Sequence, residues 1–223
     1  MKRWILRALL LLFLLALTGG GSSSAAIVRP QQPQLQGDHS TEADQEPLNG
    51  SCGLERWPVK TGTDADAGLI NLQSTTQTTI TSLTSLPAST NLPANNRIQP
   101  TETTVFQLHA TLTEYKLEPD SDYHLILSDG SGNTIISEMA SPACVGSSSL
   151  LLSGIQNARS EFDAQYTITS SFQTANVPVA ITGVGFFDFL HGQTGVTPNG
   201  IELPGLLKSR HRDQSTQARA SSG

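Results

Sequence analysis

The clearest periodicity runs from Thr104 to Tyr115, where Phe106, Leu108, Ala110 and Leu112 alternate with Gln107, His109, Thr111 and Thr113. A period of two places each set on its own face, so the stretch predicts a half-buried strand. Asp120 to Asp122 predicts a turn, and Tyr123-His124-Leu125-Ile126-Leu127 a second strand. Asp129-Gly130-Ser131-Gly132-Asn133 is rich in residues that tolerate positive φ and predicts a hairpin into a third strand, Thr134 to Met139. After Cys144 the period lengthens. Leu151, Ile155, Ala158 and Phe162 fall at helical spacing, behind serines at 147 to 149 that can cap the start. Gly154 weakens that helix without forbidding it. Val177 to Phe189 predicts a fourth strand, bulged or bent at Gly183 and Gly185, and Asn199 to Leu207 a short fifth with Pro204 at an edge.

Three strands, a helix and two strands is the order of an OB-type barrel, a five-stranded Greek-key barrel with the helix plugging one end. The expected fold class is therefore mainly β: a small OB-like barrel (β-β-β-α-β-β) with an N-terminal wrapping segment. A plain antiparallel sandwich is the rival, but it would not place a single helix there. In the segment before the barrel, Glu55 to Lys60 reads as an extended anchor, and Asp64-Ala65-Asp66-Ala67 as a helix start running through Leu69 and Leu72. Thr78 to Leu86 spaces Ile80, Leu83 and Leu86 by three, which suggests a further helical turn, and Pro87, Pro93 and Pro100 impose an extended run into the first strand.

The ends of the chain lack such patterns. Lys2, Arg3 and Arg7 precede an unbroken apolar run, Ala8 to Leu17, and then small polar residues with Ala25 and Ala26 as cleavage neighbours. Residues 1–26 therefore read as a signal peptide; a spanning helix needs roughly 20 apolar residues, so a retained anchor is the weaker alternative. No cysteine follows the apolar run where a lipoprotein signal would need one. Residues 27–51 and 209–223 are polar and read as a linker and a tail without a core to bury. Asn49-Gly50-Ser51 matches the N-glycosylation pattern, a short motif with no meaning in most bacterial hosts. What remains, 52–208, is one domain of a secreted or periplasmic protein.

Charge and cysteines narrow the function classes. The net charge is −6, and within 52–208 acidic residues outnumber basic ones roughly two to one, with Arg56, Lys60, Arg97, Lys116 and Arg159 scattered. A nucleic-acid partner is disfavoured, because such proteins usually present a basic face. Cys52 and Cys144 in an exported chain predict a disulfide closing a loop of about 90 residues; a metal pair would need CxxC spacing or neighbouring histidines.

Several blocks are similar to a family of uncharacterised exported bacterial proteins with no established activity. They are Glu55-Arg56-Trp57 with Lys60-Thr61 and Asp64, Glu114-Tyr115-Lys116, Asp122-Tyr123-His124-Leu125, Pro142-Ala143-Cys144-Val145, and Gly183 through Leu203 with its Gly-Phe-Phe-Asp-Phe…His-Gly-Gln run. The resemblance covers nearly all of 52–203 and implies an OB-like fold, but no mechanism. In the family pattern Glu-Leu is followed by histidine and proline. Here Glu202-Leu203 runs into Pro204-Gly205, so a ligand or base at that histidine position would be missing.

The stretch 183–195 crowds Phe186, Phe187 and Phe189 around Asp188, His191 and Gln193 in a chain with 5% aromatics. It reads as a buried strand entering a shaped polar loop, where sites are commonly built. Asp122 and His124 on the second strand, Asp188 and His191 after the fourth and Glu202 on the fifth are the candidate catalytic set. Carboxylates and imidazoles brought together in this way could bind a divalent ion or divide acid and base roles. Staphylococcal-type nucleases share such a barrel, but they need arginines for phosphate, and none lies in the first three predicted strands.

The structural alternatives are that Asp122 caps a turn, that His124 faces solvent or a barrel rim, and that Asp188 accepts backbone donors from Gly192 to Gly195 while His191 and Asn199 pin the loop. Asp64 to Gly68 lacks the spaced oxygens of a calcium loop. The glycines at 130 and 132 lack a following helix and lysine for phosphate, and no nucleophile elbow or free cysteine stands out. The leading expectation is a binding or structural module without catalysis. It would use Tyr123, His124, Asp188, His191, Gln193 and Asn199 toward an unknown ligand or protein partner, with no cofactor, no assigned metal and no membrane span after leader removal. The alternative is a metal-assisted hydrolase of nuclease or phosphodiesterase type.

Overall fold

The long strand β2, Val105–Leu117, organises the architecture. Leu108 and Leu112 are buried on one face, and Phe106 and Ala110 pack against the same core. A bulge between Leu112 and Glu114 inserts Thr113 and shifts the phase, so Tyr115 and then Leu117 turn to that core. Along one edge β2 pairs antiparallel with β5, Gln173–Val184. Along the other it pairs first, in parallel, with the short β1, Thr76–Thr78, and then antiparallel with β3, Tyr123–Ser128. The hairpin at 129–133 leads from β3 to β4, Thr134–Met139, and Asp129 fixes it by accepting from the Ser131 and Asn133 amides. The sheet order is β4-β3-β2-β5-β8, with β8 covering Gly205–Leu207.

A separate two-stranded ribbon pairs β6, Phe186–Phe187, with β7, Ile201–Glu202. After the ribbon, the Leu203 N–H donates to the Ile136 carbonyl of β4 at 3.1 Å. Helix α3, Leu152–Asp163, lies between β4 and β5 in the chain and buries Ile155, Ala158 and Phe162. Phe162 meets Tyr115, Tyr123 and Tyr166 with ring centroids 4.7–5.6 Å apart, an arrangement that adds to the area these rings bury.

The computed structural model describes residues 52–207, all within one compact unit. The expected signal peptide, linker and tail and the Asn49 motif lie outside the described residues. No described helix is long and apolar enough to cross a membrane.

Several expectations change. The segment at 55–60 is not an extended anchor: Trp57–Thr61 forms helix α1. Pro58 sits in its first turn, where proline is pre-set for helix, and Gly62 ends it at φ 71°. The helix expected from Asp64 through Leu72 is one 3-10 turn, Ala67–Leu69, and Leu72 is exposed. Helix α2 is Ile80–Thr84, capped by the Thr79 hydroxyl accepting from the Ser82 amide, and it buries Ile80 and Leu83. The predicted fourth strand begins earlier and divides at Gly185. A Cβ there would lie 2.6 Å from the Thr101 carbonyl oxygen, and one on Gly183 would lie 2.4 Å from that of Pro204. These two glycines let backbone segments approach where the chain leaves β5 for the ribbon. The predicted fifth strand divides likewise: β7 pairs with β6, β8 pairs with β5, and Leu203-Pro204 turns between them.

The predicted disulfide is present, Cys52–Cys144, with Cα atoms 5.4 Å apart. It ties down the start of the wrapping segment, where Trp57 also donates to the Cys144 carbonyl at 3.2 Å.

Candidate functional site

The ribbon has two faces. Phe187 and Ile201 join the main core. By alternation Phe186, Asp188 and Glu202 lie on the other face, since Phe186 pairs with Glu202 and the Asp188 amide donates to the Gly200 carbonyl at 2.8 Å. Helix α1 and the residue before it cover this face, with the Arg56 guanidinium 5.1 Å and the Lys60 ammonium 5.6 Å from the Phe186 ring centroid.

Arg56 is buried and makes a two-pronged pair with Glu102, at 2.6 and 2.8 Å. Glu102 also accepts from the Phe187 amide at 2.8 Å and the Ile98 amide at 2.6 Å. Beside it, Arg97 pairs with buried Asp64 at 2.6 Å and donates to the Glu102 carbonyl at 2.9 Å. This network locks the wrapping segment to the ribbon. The sequence does not reveal it, because its two ion pairs join residues 33 and 46 positions apart and each looks locally like a lone surface charge.

On the other side, Lys60 reaches the Glu138 carboxylate of β4. Glu138 stands 3.4 Å from His124 Nδ1 on β3, its cross-strand partner. His124 Nε2 lies 2.8 Å from the Thr194 carbonyl. A carbonyl only accepts, so Nε2 carries a proton. Burial disfavours the charged imidazole, but the Glu138 carboxylate, the Thr194 carbonyl and Glu118 outweigh it and raise the His124 pKa. Burial likewise opposes ionised Glu138, yet the charges of Lys60 and His124 hold its pKa down to about 2. Lys60 is pushed well above its ordinary range because Glu138, Asp188, Asp122 and Glu202 together outweigh its burial.

The remaining acids fare differently. Burial first, then the charges of Glu138 and Asp188, raises Glu202 well above the usual carboxylate range. Burial also raises Asp188. Neither Glu202 oxygen, nor Asp188 Oδ1, nor Asp122 Oδ2 has a hydrogen-bond partner among the described residues. Such groups in a folded protein call for a specific explanation.

The candidate residues are thus divided. His124 is 2% exposed, so it faces neither solvent nor a rim; the 188–199 loop covers it through Thr194. Asp122 is buried and accepts from the Ser141 amide at 2.9 Å. Tyr123 is buried, donates to Asp163 at 2.8 Å and carries the Arg159 guanidinium 3.2 Å over its ring, so it is a packing residue rather than a contact surface. Asn199 is also buried. Its amide donates at 2.9 Å to the Leu83 and Leu86 carbonyls, joining α2 to the loop. Gln193, rather than Asp188, closes the loop, donating to the Phe189 carbonyl at 2.9 Å and accepting from the His191 amide at 3.2 Å.

Asp188 and His191 do come together, and Glu55 joins them. One ligand-capable atom from each lies within 4.8 Å of the others. Glu55 was not in the predicted set; its place in the Glu55-Arg56-Trp57 block was the only sequence signal. Phe189 and Leu190 follow Asp188 and are exposed, at 41% and 59%, so the third phenylalanine of the run is not core.

The buried acids make stability depend on pH. Burial, reinforced by the Asp120 and Glu138 charges and opposed by Lys60 and the Ser141 amide, pushes Asp122 from 3.8 up to about 7; Arg159 is a further nearby cation. The folded state therefore holds a proton that the unfolded chain releases above about pH 4. That contribution is complete below the unfolded pKa and is lost as pH rises through the folded one, at up to about 1.4 kcal/mol per unit. Glu138 has the opposite sign: its contribution is lost as pH falls from 4.5 toward 2. Between pH 5 and pH 8, urea unfolding should show Asp122→Asn losing about 2–3 kcal/mol less than wild type. Equal losses in the two proteins would refute this account.

No known family model and no curated protein matches the chain.

Proposed function

We propose that this chain is an exported, disulfide-tied binding module on an OB-like barrel, with its contact surface on the 188–199 loop and the adjoining Glu55. The strand order β4-β3-β2-β5-β8, with α3 between β4 and β5 and the Leu203-to-Ile136 hydrogen bond returning the chain to β4, supports the OB-like reading. The leader and the Cys52–Cys144 bridge support export. The similarity of the Glu-Arg-Trp and Gly-Phe-Phe-Asp-Phe blocks to exported bacterial proteins belongs to the same proposal.

One observation carries the binding role. Phe189 and Leu190 are exposed on a loop held through the backbone of Asp188, Phe189 and Thr194 and through the Asn199 side chain. A surface already rigid loses little conformational freedom on binding. Catalysis by the predicted set is disfavoured because Asp122, His124 and Glu202 are shut away from solvent, leaving no place for substrate and water together.

A photo-activatable cross-linking residue at Leu190 should give a discrete adduct in the native host, whereas the same residue at exposed Leu72 should give none. Equal labelling at both positions would sink the binding surface. Metal-dependent hydrolysis of bis(p-nitrophenyl) phosphate that disappears in Asp188→Asn would replace the module with the hydrolase.

A further inference from the structure

We propose that Glu55, Asp188 and His191 form a binding site for a first-row divalent cation of the Mn²⁺ or Zn²⁺ kind, backed by the buried carboxyl of Glu202. The inference rests on the binding-module reading only in using the same surface, and it names a ligand class there.

The three donors come from separate parts of the chain: the turn before α1, the end of β6 and the 188–199 loop. Their ligand-capable atoms nevertheless converge within 4.8 Å, and His191 Nε2 is 3.7 Å from Glu55 Oε2. Donors around a tetrahedral ion at about 2.1 Å stand about 3.4 Å apart. The His191–Glu55 pair is close to that already, and both side chains are partly exposed, so they can adjust.

The protonation pattern agrees. The Gln193 amide nitrogen lies 2.6 Å from His191 Nε2. As donor there, it leaves the imidazole lone pair on the nitrogen that faces Glu55. Nε2 is then unprotonated and stands beside two carboxyl groups, able to turn its lone pair from the Gln193 N–H to a cation. On binding, the ion takes the place of the Gln193 donor.

Glu202 is the second, independent observation. It is 0% exposed, and both of its oxygens lack a hydrogen-bond partner among the described residues. The ribbon register puts it on the same face as Asp188, whose Oδ1 is also buried and unpartnered. The carboxylates of Asp188 and Glu55 are among the charges that act on it. Lys60 belongs to the same group of charges but hydrogen-bonds to Glu138. An ion at the three donors would supply positive charge where the acids exceed it.

Mixed imidazole and carboxylate donors suit Mn²⁺, Fe²⁺, Co²⁺ or Zn²⁺, whereas Ca²⁺ and Mg²⁺ favour all-oxygen cages. Three protein donors at an exposed position leave coordination sites open, through which an oxygen of a bound partner could reach the ion.

The test is equilibrium dialysis of the exported protein, without a polyhistidine tag, against Zn²⁺, Mn²⁺, Ca²⁺ and Mg²⁺ separately. The expected result is one Zn²⁺ or Mn²⁺ per chain, taken up at least tenfold more tightly than Ca²⁺ or Mg²⁺. His191→Ala and Glu55→Gln should each weaken uptake by about tenfold or more. Both residues are partly exposed, so circular dichroism should report an unchanged fold. No saturable uptake up to about 1 mM, or uptake that survives both substitutions, overturns the site. Cross-linking at Leu190 needs no metal, so a discrete adduct without metal uptake removes this inference and leaves the binding module standing.

Discussion

Glu102→Ala is expected to destabilise the domain by about 3–5 kcal/mol, the usual cost of leaving one member of a buried ion pair unpaired. Glu102 is 0% exposed and holds four donors: two from Arg56 and the amides of Phe187 and Ile98. Alanine takes the acceptor from all four and leaves the buried Arg56 charge facing only the Pro93, Asn96 and Phe187 carbonyls. Out of the 5–15 kcal/mol typical of a whole domain, that loss approaches unfolding. Arg56→Met combined with Glu102→Leu removes both charges and should recover the part due to the unpaired guanidinium, while the Phe187 and Ile98 amides stay without their acceptor. Urea titration of both single variants and the double variant decides the matter. A single-variant loss below about 1 kcal/mol would mean that the pair is solvated in solution, as surface pairs are.

Removing the disulfide is expected to cost about as much by a different route. Cys52 and Cys144 are 92 positions apart, and closing a loop of that length restricts the unfolded chain by about 4–5 kcal/mol in the chain-entropy account. Cys52→Ser with Cys144→Ser should therefore lower the urea midpoint strongly while β3, β4 and α3 remain formed below it. The folded state should loosen first at the start of the wrapping segment, where Trp57 packs beside Gly53 and donates to the Cys144 carbonyl. Limited proteolysis in native buffer reads this directly: early cleavage between 52 and 56 is the expected pattern. A midpoint unchanged by the double substitution would show that the bridge closes nothing the native contacts do not already hold.

These two losses arise from different information in the chain. The disulfide could be inferred from two cysteines in a sequence that reads as exported, because pairing leaves no alternative partner. The Arg56–Glu102 pair could not, since many acidic residues were available to Arg56 and local spacing favoured none. The same contrast runs through the candidate site. Asp188 and His191 stood out because three phenylalanines, glycines and polar groups seldom crowd into so short a run. Glu55 did not, as it approaches them only after α1 folds over the ribbon. His124 and Asp122 were identified as unusual, but their burial inverted their meaning: His124 lies under Thr194, and Asp122 accepts from Ser141.

From local pattern alone, the sequence determined the two-residue period of β2, the strands β3 and β4, the hairpin at 129–133, the helix carrying Ile155, Ala158 and Phe162, and the cysteine pairing. Each of these depends on neighbours a few positions apart, whose spacing decides which face they share. The rest follows from segments that meet only in the folded chain. The tertiary structure divided the long apolar runs at Gly185 and at Leu203-Pro204, because the backbone of Thr101 and Pro204 comes too close for a side chain. It buried Glu202, Asp122 and Glu102 together with Arg56, and it brought Glu55 to Asp188 and His191. Burial and charge act through space, and their strength depends on which distant segments exclude water, a property that no short window of sequence contains.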